Sequence, residues 1–181
     1  CIVSSNREEI LSADKVVLPG VGAFGDAMPA LSENGLDEVV KEVCKKNIPF
    51  LGICMGEQLL FEESEESPGV NGLGIFKGKI VRIPDCGQKI PHMGWNNIKF
   101  PNKGRLFEGV PEDSYVYFVH SYYLKAQDEK IVTATTEYGT HIHASVESGN
   151  LFACQFHPEK SSHVGLQILK NFAKLEGKGG R

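Results

Sequence analysis

The sequence predicts an α/β fold, on three observations. Apolar strand-like segments alternate with helical ones in the first third, short strands separated by turn signals fill the middle, and one amphipathic helix closes the chain. In order, Ile2 and Val3 are expected to end a strand, and residues 15–18 form a short buried strand stopped by Pro19-Gly20. Leu36, Val39, Val40, Val43 and Cys44 recur at helical spacing and make one apolar stripe. An apolar strand at 49–53 leads into a helix expected over 55–63. Strands follow at 79–83, 95–100, 115–119, 131–136, 142–146 and 151–156, the last two joined as a hairpin through Ser148-Gly149-Asn150. Val164, Ile168, Leu169, Phe172 and Leu175 give the final helix its apolar side. One domain is expected over 1–176, with 177–181 a disordered tail.

Composition narrows the function classes. The 181 residues carry a net charge of −4, with 41% apolar and 23% charged residues, as in an ordinary globular chain. Mild acidity argues against nucleic acid as a partner, since phosphate binding needs clustered basic charge. No apolar run approaches the roughly 20 residues of a membrane span, and no recognisable secretory signal is expected. Five cysteines at scattered positions fit reduced thiols of a cytoplasmic protein rather than a disulfide framework, and no zinc spacing is present. His141 and His143 share a strand face, for which solvent exposure is a simpler account than a metal.

Three segments carry chemistry. Gly52-Ile53-Cys54-Met55-Gly56 runs a strand straight into a helix through a Cys flanked by small residues, the pattern of a nucleophile elbow. The helix start beneath Cys54 is expected to favour thiolate. The same residues also fit a buried Cys between two packing glycines. Phe156-His157-Pro158-Glu159 is held extended by its proline, so Glu159 and His157 point to one side and the carboxylate can orient the imidazole. Leu18-Pro19-Gly20-Val21-Gly22, at another strand end, can present backbone N–H groups as an oxyanion hole, or simply turn. Jointly they supply a nucleophile, a base with its orienter, and oxyanion donors.

With these residues in view, the chain resembles the class I (triad) glutamine amidotransferases, and among them the glutaminase subunits that serve imidazole glycerol phosphate synthesis. LPGVGAF at 18–24, GICMGEQLLFEES at 52–64, PHMGWN at 91–96, YFVHSYY at 117–123 and FHPEKS at 156–161 carry the resemblance over nearly the whole chain. It implies a flavodoxin-like three-layer sandwich, its central sheet mainly parallel with added antiparallel strands. It also implies Cys54 as nucleophile, His157 as base and Glu159 as its orienter. Gln58 and Glu66 would hold the amino-acid end of L-glutamine, with backbone contacts at His120, Ser121 and Tyr122. Met55 N–H and the segment Gly20, Val21 and Gly22 would form the oxyanion hole, in a strand that the partner's ligand brings into place. Lys160 would lie at the partner interface and Trp95 at the mouth of an ammonia passage. The partner would be a cyclase subunit, a (β/α)8 barrel, in a heterodimer. No metal and no organic cofactor are expected.

Two departures from the family are visible. Glu57 stands where the family carries Met or another apolar residue, and it is expected to face solvent or the partner. The family's first strand and helix, roughly 20–25 residues, have no counterpart. Cys1-Ile2-Val3 would then be the second strand of the sheet. Three alternatives stand beside this: an amidotransferase subunit serving another acceptor such as a sugar, which keeps nearly the same motifs; a stand-alone γ-glutamyl hydrolase or cysteine peptidase, which would use the same triad without needing PHMGWN or VHSYY; and a non-catalytic regulatory subunit, against which the intact Cys54, His157 and Glu159 argue. The natural protein is expected to carry the missing βα unit, and an intact mass of native protein equal to that of these 181 residues would overturn this.

Overall fold

The computed structural model describes residues 1–177. The tail expected at 177–181 therefore lies, from 178 onward, outside the described residues. Three strands position the site: β1 (Val16–Gly20), β2 (Phe50–Cys54) and β10 (Leu151–Cys154), with β2 central and parallel to both neighbours. Beyond β10 the sheet continues antiparallel through β9 (His141–Ser148), β7 (Tyr122–Ala126) and β4 (Gly78–Arg82), then parallel to the two-residue β3 (Glu63–Ser64). β8 (Val132–Glu137) pairs with β9, while β5 (His92–Asn97) and β6 (Tyr115–His120) form a separate antiparallel ribbon.

Period-two alternation along β2 and β10 sends side chains to both faces, so each face builds its own core. Phe50 and Ala153 pack with Val39, Val40 and Val43 of α3 (Leu36–Lys45) and with Phe24, Met28 and Leu31 of α2 (Phe24–Glu33). Leu51, Ile53 and Phe152 pack with Val164, Ile168 and Phe172 of α5 (Ser162–Lys174). Helix α3 forms where its stripe predicts, with Asp37 and Glu38 in its first turn and Lys45 in its last, each complementing the helix dipole. Before them, α1 (Arg7–Ser12) starts at Asn6, whose side chain accepts from the N–H groups of Glu8 and Glu9.

Several expectations are corrected. Residues 1–3 form no strand: Ile2 and Val3 are 72% and 105% exposed, and among the described residues no strand lies beside them to share a ladder. Pro19 does not stop β1, which pairs with β2 through Gly20. β1 is the end strand of the sheet, so a residue without an N–H is tolerated there. The helix expected over 55–63 is a single turn, α4 (Met55–Gln58). Its continuation is cut because the carbonyls of Leu59, Leu60 and Phe61 accept from Leu73, Ile75, Phe76 and Gly74 instead of from a further turn.

The elbow depends on glycine. A Cβ on Gly56 would stand 1.9 Å from the Leu18 carbonyl oxygen, and one on Gly52 would stand 2.6 Å from the Gly56 oxygen. Both obstacles are backbone, which cannot turn aside. Gly56→Ala is therefore expected to destabilise the chain by about 3 kcal/mol or more, read as a lower midpoint in chemical denaturation.

Candidate active site

The site stands at the carboxyl ends of the three parallel strands. Gly20 is in register with Cys54, and Cys154 with Ile53, so the residues following β10 run alongside the elbow. Cys54 itself has φ 55° and ψ −111°, a conformation that L residues avoid, at a cost of about 1–3 kcal/mol. The tertiary packing of α4 imposes it, and the thiol is left 8% exposed.

The charge state of that thiol corrects an expectation. Burial pushes Cys54 from an ordinary 9.0 up to about 11, and the charge of Glu159 pushes it the same way. The Met55 N–H and Lys160 act oppositely but do not prevail, since α4 is one turn long and its N-terminal field is small. The neutral thiol is therefore the favoured form of Cys54.

His157 follows β10, and its N–H donates to the Tyr117 carbonyl at 2.9 Å. The Ser161 hydroxyl donates to the His157 carbonyl at 2.6 Å and accepts from Tyr117 N–H at 2.9 Å. Thus the segment is pinned to β6. His157 Nδ1 lies 2.7 Å from Glu159 Oε1. A carboxylate only accepts, so Nδ1 carries a hydrogen, and Nε2 is buried with no hydrogen-bond partner among the described residues.

The remaining expected residues divide. Gln58 is buried and its Nε2 donates to the Tyr122 carbonyl at 3.2 Å and to Gln155 Oε1 at 2.8 Å. Gln155 Nε2 in turn reaches Cys54 Sγ at 3.7 Å. Gly20 packs on Met55, where a Cβ would come within 2.8 Å of the Met55 Cβ, while Val21 is exposed and Gly22 takes φ +95°. Glu66 accepts from Phe24 N–H at 2.8 Å, at the start of α2. Trp95 is exposed on the outer face of the β5–β6 ribbon with Met93 and Tyr115, and Lys160 Nζ sits 5.9 Å from the Tyr117 ring centre on the same side.

Gln155 was missed although a signal existed. It lies two residues before His157 in extended chain and so points to the same side. Glu57 is a second correction: instead of facing solvent or a partner it is fully buried, and neither carboxyl oxygen has a hydrogen-bond partner. α4 turns back over the strand ends and carries its side chain inward, where burial raises its pKa well above 4.5. His143 is also buried rather than on a solvent face, its Nδ1 accepting from Ala126 N–H at 3.2 Å.

Comparison with known proteins places this geometry. The chain matches the glutamine amidotransferase class-I family over residues 3–175, and it belongs to that family. It is 51% identical over 173 residues to a Moorella thermoacetica protein named imidazole glycerol phosphate synthase subunit HisH, covering 96% of this chain and 82% of that one. A protein of the same name from Methanocaldococcus jannaschii is 48% identical over 174 residues, covering 96% and 87%. A crystal structure of a glutamine amidotransferase shares the fold, with TM-score 0.69 at 18% identity, over 94% of this chain and 85% of that one. No helix among the described residues is long and apolar enough to cross a membrane.

Glu57 makes stability depend on pH. Its carboxyl holds the proton more tightly folded than unfolded, so stability is full below about 4.5 and falls as pH rises past it, until the folded carboxyl ionises. Glu57→Met is expected to flatten that decline and to raise stability at pH 7 by on the order of 2 kcal/mol. Denaturation midpoints of both proteins across pH 4–8 check it.

Proposed function

We propose that this chain is the glutaminase subunit of an imidazole glycerol phosphate synthase, hydrolysing L-glutamine in the cytoplasm and passing ammonia to a cyclase subunit, a (β/α)8 barrel, in a heterodimer. The observation that carries it is the neutral-thiol elbow with its oriented histidine, in a chain half identical along nearly its whole length to subunits of that name.

His157 Nε2 takes the Cys54 proton, and the thiolate attacks the side-chain amide carbon of glutamine. The tetrahedral oxyanion is held by Met55 N–H and by the segment Gly20, Val21 and Gly22. The imidazolium, stabilised by Glu159, returns the proton to the leaving nitrogen, so ammonia departs and a γ-glutamyl thioester stays on sulfur. Water, deprotonated by the same histidine, then releases glutamate. Gln58 and Glu66 hold the amino-acid end, with the backbone of His120, Ser121 and Tyr122.

A thiol raised to about 11 suits a subunit that should not waste glutamine alone. A docked partner covering Met93, Trp95, Tyr115 and Lys160 is the natural source of the missing activation, since an exposed apolar face of this kind marks an interaction site. Ammonia would pass on the Trp95 side to a barrel that makes imidazole glycerol phosphate and an aminoimidazole carboxamide ribonucleotide.

Glutaminase activity is expected to be low for the chain alone and to rise strongly when cyclase and its nucleotide ligand are added. High partner-independent hydrolysis of γ-glutamyl peptides would overturn the proposal. Cys54→Ala is expected to abolish glutamine-dependent synthesis while the complex still uses free ammonia, measured by product formation with each nitrogen source.

A further inference from the structure

We propose that His92 and His120 are positioning residues of the glutaminase reaction, fixing the Tyr122 carbonyl on which Gln58 docks and thereby tying the partner-facing ribbon to Cys54. The inference rests on the glutaminase function proposed above. It starts from the ribbon's two faces. Trp95 and Met93 alternate with His92, Gly94 and Asn96, so the strand that exposes the tryptophan turns its histidine inward, opposite His120 of β6.

The hydrogen bonds fix every proton. His120 Nδ1 lies 2.8 Å from the Tyr122 carbonyl oxygen, which can only accept, so Nδ1 carries the hydrogen. Both rings are neutral, because burial lowers His92 to about 4 and His120 to about 3. His120 Nε2 therefore accepts, and its partner at 3.0 Å, His92 Nδ1, donates. His92 Nε2 must then accept, and Asn96 Nδ2 donates to it at 3.3 Å while giving its other hydrogen to the Glu137 carbonyl. His92 is clamped between the Tyr138 and Phe118 rings, with centres 3.9 and 4.6 Å away, so its plane is held.

From the other side, the Tyr122 carbonyl accepts from Gln58, Gln58 donates to Gln155, and Gln155 donates to Cys54 Sγ. Both amide hydrogens of Gln58 are used, so its side-chain orientation follows the Tyr122 carbonyl. One connected chain thus runs from Asn96, beside Trp95, to the nucleophile. A shift of the ribbon on docking moves the groups that receive glutamine.

His92→Phe keeps the ring stack and removes the donor to His120, whereas His92→Asn keeps a donor at the Nδ1 position. With the cyclase partner present, His92→Phe is expected to lower kcat/KM for glutamine by about ten- to a hundredfold, mainly through KM, and His92→Asn to recover most of it. Histidine-resolved 15N NMR of the wild-type chain is expected to show Nδ1–H on both rings. Unchanged kinetics in His92→Phe, no recovery in His92→Asn, or Nε2–H on either ring overturns the proposal. A wild-type complex that hydrolyses no glutamine would instead overturn the glutaminase function, and the NMR tautomers would still decide the network.

Discussion

The contact between Gly56 and the Leu18 carbonyl oxygen governs this molecule. It brings α4 down onto the ends of β1 and β2 at a distance that leaves no room for a Cβ. With α4 there, Cys54 is forced to φ 55°, and its thiol stands beside Gly20 and the chain leaving β10. The two apolar cores, one on each face of the sheet, supply the stability that holds a strained residue in place.

Burial then sets the electrostatics. The packing that shapes the elbow also removes water from Cys54, His120 and Glu57, and for each the neutral form is favoured. Beside the buried thiol of the elbow segment, His157 keeps its Nε2 without a hydrogen-bond partner. Neutral His92 and His120 likewise make a donor chain possible, since two protonated rings 3.0 Å apart would set N–H against N–H. One cause, desolvation, therefore both keeps Cys54 neutral and orders its surroundings.

Much of this was legible in the chain. The stripe of α3, the apolar side of α5 and the alternation of β6 follow from periodicity, because each has one face toward a core, whereas β2, β8 and β9 follow from short runs of strand-forming residues that are buried almost throughout. Cys54 and His157 were legible because a tight turn and a proline constrain the backbone locally, whereas Glu159 pairs with His157 as expected but from a 3-10 turn at Pro158–Lys160 and not from extended chain. Helix α2 was not, since Gly25 and Pro29 are poor helix formers. Gly25 is small because a Cβ would meet Ser67 Oγ at 2.6 Å, a contact 42 residues away in sequence.

What the sequence determined by itself was local: strand and helix periods, the glycines of the elbow, and the pairing of His157 with a carboxylate two residues on. Only the tertiary structure decided where α4 ends, because the carbonyls that follow it, of Leu59, Leu60 and Phe61, are taken by residues 73–76. It alone placed Glu57 in the interior, Glu66 at the start of α2 and Gln155 against Cys54. The physical reason is common to all of these. Burial and hydrogen-bond partners come from segments distant in sequence, and no spacing along one strand or helix records which of them will meet.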